Sequence, residues 1–329
     1  MQFKKILFIN FGGLGDEILF LPTIQTVKKE FPNSHITLAL EKRSLGITSL
    51  TNVIDSTLIA NIKGKTKYFE LFKLLIKIWT GKYDMVISSG SNKFISVFLF
   101  MTFIKQKYGY NTGKLSEILL TKTAKLNKNQ YAVNMYHDLV CSISDKAAEL
   151  PVLNIEKKDV IPNSILIHPG VSKLSVSQGM IKTISAEKWA EVIEKLSDLG
   201  KKVFLIGGPD DKECIETIIK TVPVEKYENL YGTTKNLKEL AELISSTEIF
   251  LCSDSAPLHI AVSLGVKTFA IFGSTDDKKL IPQNDFVKAI KADCDCPIRP
   301  CLWEKRQTTC ESLDCLNIPV EKIIAEVLR

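Results

Sequence analysis

The chain has no apolar run long enough to cross a bilayer: the stretch at residues 95–104 is ten residues long, about half of what a spanning helix needs. No cleavable leader is expected either. Two lysines precede an apolar stretch near the start, but Asp16 and Glu17 interrupt it and no small-residue cleavage site follows. Internal repeats and low-complexity segments are missing, and 45% hydrophobic with 24% charged residues excludes disorder. No recognised nucleic-acid-binding motif occurs. A dinucleotide fingerprint is absent too: counting from Gly13, the last position of Gly-x-Gly-x-x-Gly falls on Ile18, which disfavours hydride transfer. What remains is a globular protein of 329 residues, long enough for two domains of about 150 residues each and expected in the cytoplasm.

Its charge is lopsided. Residues 1–150 carry 20 Lys and Arg against 11 Asp and Glu, a balance of +9, whereas the remainder carries 23 against 26, or −3. A basic first half suits an acidic acceptor or the anionic face of a membrane; a dispersed, lysine-rich solvated surface explains it equally well. The acidic second half argues further against nucleic acid as a partner.

Two segments stand out among what is present. Gly12-Gly13-Leu14-Gly15-Asp16-Glu17 follows the apolar run Ile6-Leu7-Phe8-Ile9, and Ser253-Asp254-Ser255-Ala256-Pro257-Leu258-His259 follows Ile249-Phe250-Leu251-Cys252. Each reads as a buried parallel strand turning into a helix. Glycine permits backbone shapes that a Cβ forbids and lets another molecule come close. In the second turn, Ser255 is a candidate N-cap and Pro257 falls in the first helical turn, where a missing N–H costs nothing. The free amides there suit a phosphate. A capping Asp-Ser pair with His259 packed on the domain surface is the plainer alternative, and for Asp16 alone that alternative is helix capping.

Further strands are expected at residues 36–40, 84–88, 165–168, 203–206 and 268–272, with helices at 68–80, 186–199, 211–221, 236–246 and 257–264. Strands alternating with helices imply an α/β protein with mainly parallel, doubly wound sheets. Residues 146–164 read as a linker, with domains at 1–155 and 156–318 and a terminal helix at 319–329. Two Rossmann-like domains facing across a cleft would place Asp16, His168, Gly207-Gly208 and Asp254 at the carboxyl ends of strands, where such sheets bind ligands.

Five of the eight cysteines crowd into Cys294, Cys296, Cys301, Cys310 and Cys315. Four thiolates could complete a structural zinc or iron site, yet the spacing lacks the paired C-x2-C knuckles of a zinc ribbon. Reduced thiols or disulfides are the alternative.

In order, the segments 6–22, 52–55, 83–87, 168–170, 185–189, 207–210, 230–233, 253–259 and 272–276 resemble glycosyltransferase family 9, the heptosyltransferases of bacterial lipopolysaccharide synthesis. The late cysteines resemble a recurrent feature of the family's tail. The resemblance implies the GT-B fold, with an acceptor-binding first domain and a nucleotide-sugar-binding second one. It further implies inverting transfer of a sugar, ADP-heptose being the expected donor and an acidic glycolipid or glycan the expected acceptor, with peripheral contact at the inner face of the cytoplasmic membrane. By similarity Asp16 is the general base and Lys182 steadies the leaving diphosphate. Asp254, Ser255, Ala256 and His259 would hold the donor together with His168 and the loop Gly232, Thr233, Thr234 and Lys235. Gly12, Gly13 and Gly15 form the acceptor-side loop. No cofactor is required for catalysis. Three departures stand out: Ala256 replaces the usual glycine of the phosphate turn, Lys182-Thr183-Ile184-Ser185 replaces Lys-x-Trp-Pro, and Gly12-Gly13-Leu14 replaces a polar-small-apolar sequence. Competing readings are a transferase of the same fold with another nucleotide sugar and a glycan or protein acceptor, and a non-catalytic nucleotide- or glycan-binding protein.

Overall fold

Short apolar runs become the central strands of two parallel sheets. The computed structural model describes residues 3–302 and 310–329, and the chain divides into two compact units, Met1–Asn154 and Ile155–Arg329.

The first unit holds strands β1 (Lys5–Ile9), β2 (His35–Leu40), β3 (Ser56–Ile59), β4 (Met85–Ser88), β5 (Gln106–Tyr110) and β6 (Lys122–Ala124). Its helices are α1 (Leu14–Glu30), α2 (Lys67–Gly81), α3 (Lys93–Met101), α4 (Lys114–Leu119) and α5 (Ala132–His137). The sheet order is β3-β2-β1-β4-β5-β6, all parallel. Ile6, Leu7, Phe8 and Ile9 are fully buried, as a strand covered on both faces requires. Asn92 starts α3 by accepting the N–H groups of Phe94 and Ile95 at 3.0 and 3.1 Å.

The second unit holds β7 (Ile161–His168), β8 (Lys202–Leu205), β9 (Glu228–Asn229), β10 (Thr247–Ser253), β11 (Lys267–Ile271) and β12 (Val287–Ile290). Its helices are α6 (Lys173–Ser177), α7 (Ala186–Asp198), α8 (Lys212–Thr221), α9 (Leu237–Ser245), α10 (Ala256–Leu264), α11 (Asp277–Leu280) and α12 (Val320–Leu328). The order is β12-β11-β10-β7-β8-β9, again all parallel. Trp189, Val192, Ile193 and Leu196 on α7 and Val320, Ile323 and Val327 on α12 enter one core cluster with the sheet.

The expected linker over 146–164 ends earlier than its composition suggests, because β7 begins at Ile161. Pro162 and Asn163, the latter at φ 62°, occupy its irregular start, where the pairing with β10 also shifts register. Among the described residues no helix is long and apolar enough to cross a membrane.

Both sheets reverse direction beside their first strand, between β1 and β4 in one unit and between β7 and β10 in the other. The crevice beyond the carboxyl ends at such a reversal is where open α/β sheets bind ligands.

Candidate active site

In the first unit, β1 ends at Ile9 and the loop through Gly12 and Gly13 leads into α1. Gly13 is the N-cap, and its N–H donates to Asp16 Oδ2 at 2.7 Å. Asp16 therefore does cap α1, as the plainer reading held. Its other oxygen, Oδ1, accepts from the Tyr136 hydroxyl of α5 at 3.2 Å. Burial first, and the Asp16 charge second, push the Tyr136 phenol well up, so it stays a proton donor. Beside it, burial of Glu17 raises its carboxyl well above the usual range, and the Asp16 charge adds to the effect. Glu17, next to Asp16 in the chain, is thereby harder to ionise than an ordinary carboxyl.

Neither Gly12 nor Gly13 is among the residues at positive φ, and Gly12 acts by close approach. A Cβ on Gly12 would lie 2.3 Å from that of Asp16, whereas one on Gly13 would meet nothing nearer than 3.6 Å. Gly15 lies inside α1. The loop is braced from the segment after β2: Ser44 Oγ donates to Gly12 O at 3.1 Å, and Arg43 Nε, which pairs with buried Glu41 at 2.7 Å, belongs to a guanidinium whose Nη2 reaches Gly12 O at 3.4 Å. Ser89 Oγ, just past β4, donates to Asn10 Oδ1 at 2.9 Å and closes the sheet reversal beneath the turn.

In the second unit, Asp254 is buried just past β10, and Lys182 Nζ lies 3.1 Å from its Oδ2. Burial opposes ionisation of Asp254, but Lys182 first, then His259 and the Thr275 hydroxyl, outweigh it and hold the carboxyl below its ordinary value. Ser255 does occupy the N-cap position of α10, although its side chain makes no capping bond and turns instead to Ser253 O at 3.3 Å. Ala256 is the first residue of α10, a helical position that needs no glycine.

Lys182 is held by the residue that follows it. Thr183 Oγ1 donates to Pro169 O at 2.7 Å and accepts from Trp189 Nε1 at 2.9 Å, while Ser253 Oγ lies 2.6 Å away. The ends of β7 and β10 are thereby tied to the Lys182 loop. His168, at the end of β7, is buried with Nε2 3.3 Å from Asp211 Oδ2. Asp211 also accepts the Gly208 N–H at 2.7 Å, so His168 supports the strand ends. Gly232, Thr233, Thr234 and Lys235 follow the edge strand β9, and Gly232 takes φ 75° in a turn closed by Thr233 N–H to Leu230 O at 3.2 Å. Among the described residues no hydrogen bond or ion pair joins this loop to Lys182 or Asp254.

The sequence of residues 71–309 matches the profile of glycosyltransferase family 9 (heptosyltransferase). The chain belongs to that family. One relative is the lipooligosaccharide heptosyltransferase 2 of Campylobacter jejuni subsp. jejuni serotype O:6, 25% identical over 326 residues, with 96% of each chain covered. Among solved structures, the E. coli ADP-heptose lps heptosyltransferase II superposes with a TM-score of 0.71 at 18% identity, covering 98% of both chains. The iron-containing dodecameric glycosyltransferase TibC of enterotoxigenic E. coli H10407 gives 0.60 at 14% identity, covering 100% of this chain and 79% of its own. These likenesses show the fold, which is GT-B.

In this family 9 chain, Cys296, Cys301, Cys310 and Cys315 line one small cavity of about 40 Å³. Burial raises the Cys315 thiol. Arg299 reaches into the cluster, Nη1 lying 3.3 Å from Cys294 Sγ and 3.2 Å from Ala292 O. Among the described residues no group of three His, Cys, Asp or Glu is arranged to hold a metal. All eight cysteines are free. A separate polar cavity of about 570 Å³ beside β12 contains none of the expected site residues, and two of its lysines, Lys291 and Lys322, are already paired with Asp277 and Asp293.

Tyr136, Arg43, Asp211 and Thr275 were missed as site residues by sequence reasoning. Two had a nearby signal: Asp211 follows the Gly-Gly-Pro-Asp segment by one residue, and Thr275 lies within the 272–276 segment. Tyr136 and Arg43 reach the Asp16 turn from distant parts of the chain.

Proposed function

We propose that the protein is an inverting glycosyltransferase that moves heptose from ADP-heptose to a sugar hydroxyl of a lipopolysaccharide core, working in the cytoplasm. The observation that carries this reading is the Lys182–Asp254 pair at the start of α10, in a chain of the heptosyltransferase family. A nucleotide-diphosphate donor needs a cation for charge that grows on its leaving group, and Lys182 with the first amides of α10 supplies positive potential there. Asp254, held ionised, accepts donor sugar hydroxyls, and the loop Gly232 to Lys235 meets the base and ribose.

Asp16 takes the acceptor's proton as the hydroxyl attacks C1 from the face opposite the diphosphate. The Gly13 N–H and the Tyr136 hydroxyl fix the carboxylate's orientation without neutralising it. The first unit receives the acceptor, whose lipid anchor would bring the enzyme to the inner membrane face. No cofactor enters this mechanism. A zinc or iron ion held by the late cysteines would fix the tail and take no part in the transfer.

Asp16→Asn tests the assignment, because an amide keeps the shape of the side chain but cannot accept the proton. Transfer should fall on the order of 10²- to 10⁴-fold, with ADP-heptose affinity held within a few-fold by thermal shift. Near-normal turnover would leave Asp16 a helix cap only. A wild-type protein that is stabilised by ADP-heptose but never releases ADP from it would be a binding module.

A further inference from the structure

Helix α2 has two apolar faces. Leu74, Leu75 and Ile78 turn inward to the first unit's core, with Leu71 packed against it. Phe69, Phe72, Ile76 and Trp79 follow one another at spacings of three, four and three residues, and they are 58%, 54%, 42% and 40% exposed. A helix that is apolar on its solvent side as well as its core side has a partner there. The stripe continues onto α3, where Phe94 is 83% exposed. Trp79 joins the two helices, since its Nε1 donates to Met101 O at 2.9 Å and its ring lies 6.1 Å from that of Phe103. Phe103 is 75% exposed and sits at φ 56°, a backbone cost for a bulky residue that only presents an aromatic ring to the outside. On α4, packed against α3, Ile118 is 77% exposed. The crossovers through α2, α3 and α4 all step in one direction along the sheet, from β3 towards β6, so right-handed connection puts the three helices on the same face.

Lysines are interleaved with these rings. Residues 61–130 contain thirteen lysines, no arginine and three carboxylates, a balance of +10 where the whole chain carries +6. Lys67 lies over the Tyr68 ring at 4.8 Å and Lys73 over Phe69 at 4.2 Å. Apolar rings backed by lysine stems with outward ammonium groups match the headgroup layer of an anionic bilayer, where rings enter the acyl boundary and cations meet phosphates. A second copy of the chain fits less well, since a two-fold interface would set this positive surface against itself.

We propose that the outward faces of α2, α3 and α4 are a docking surface for an anionic lipid bilayer. The purpose of such docking rests on the reading of a lipid-linked acceptor given above; the surface itself does not. Binding is two-part, each lysine near the membrane adding roughly five-fold and the rings adding their apolar burial.

The experiment is co-sedimentation of the full chain with phosphatidylglycerol-containing vesicles and with phosphatidylcholine vesicles, at low and high salt. The triple variant Phe72→Ser, Phe94→Ser, Phe103→Gly is run beside it. Wild type should partition onto the anionic vesicles at least ten-fold more than onto the neutral ones and lose most of that at high salt. The variant should lose at least ten-fold while keeping its melting temperature and its turnover of ADP-heptose with a delipidated acceptor. No preference for anionic vesicles, or an undiminished variant, overturns the proposal. So does a vesicle-free dimer that the triple variant converts to monomer, which would make this face an interface between copies. Vesicle binding without any transfer would refute the enzyme assignment and leave this surface standing.

Discussion

At the scale of single residues, the site pairs groups whose ionisation is set by burial against a neighbour's charge. Lys182→Ala removes the cation beside buried Asp254 and leaves that carboxylate with His259 and the Thr275 hydroxyl alone to offset its burial. ADP should bind about ten-fold more weakly and transfer should slow further, since the lost interaction strengthens as the glycosidic bond breaks. Calorimetric titration with ADP and steady-state rates check both, and unchanged values would place Lys182 outside the chemistry. Glu17 gives a pH signature. Its folded carboxyl is raised above the ordinary value of 4.5, so its contribution to stability is full below the unfolded value and is lost as pH rises through the folded one. Glu17→Gln abolishes that slope. As pH rises above 4.5 the wild-type melting temperature should fall relative to the variant's, leaving Glu17→Gln the more stable of the two at the higher pH. Parallel curves would show that Glu17 ionises freely.

At the scale of elements, the strand-end turns are built by close approach more than by unusual backbone. A Cβ on Gly170 would lie 1.8 Å from Asp211 Oδ1, so Gly170→Ala must displace the carboxylate that holds His168 and the Gly208 N–H. It should cost about 2–3 kcal/mol in urea unfolding. Gly208→Ala, with 3.8 Å of room, should stay within about 1 kcal/mol of wild type. Equal costs would mean that Asp211 has no structural task. The two elements on which the functional reading turns, β1 into α1 and β10 into α10, were legible because four apolar residues in a row, followed by glycines and an acid in the first and by an Asp-Ser turn in the second, have few other folds. The strands β5, β6 and β9 were not: Gln106–Tyr110 has no aliphatic residue, and β6 and β9 are short edges whose pairing is decided by neighbours. Proline at 162 disguised the start of β7 as linker.

At the scale of the whole molecule, two-domain architecture followed from the repeated strand-helix alternation, and the family from the order of its motifs. What the sequence could not display was convergence. Tyr136 lies 120 residues from Asp16, and the Lys182–Asp254 pair spans the helices and strands between them. Nor does average charge reveal where apolar rings share a surface with lysines, since one face of α2 is needed for the core before the other can be recognised as surplus. The terminal helix has a further consequence. Val320, Ile323 and Val327 pack with α7 in the core that also contains Ile165 and Ile167 of β7, so this core closes only when segments more than 150 residues apart in sequence meet. On the ribosome, the first unit has all its strands and helices by residue 154 and can settle while translation continues. The second must wait with its apolar strands exposed until α12 has emerged, which makes it the half of the nascent protein that depends on chaperones and the half that a premature stop would forfeit.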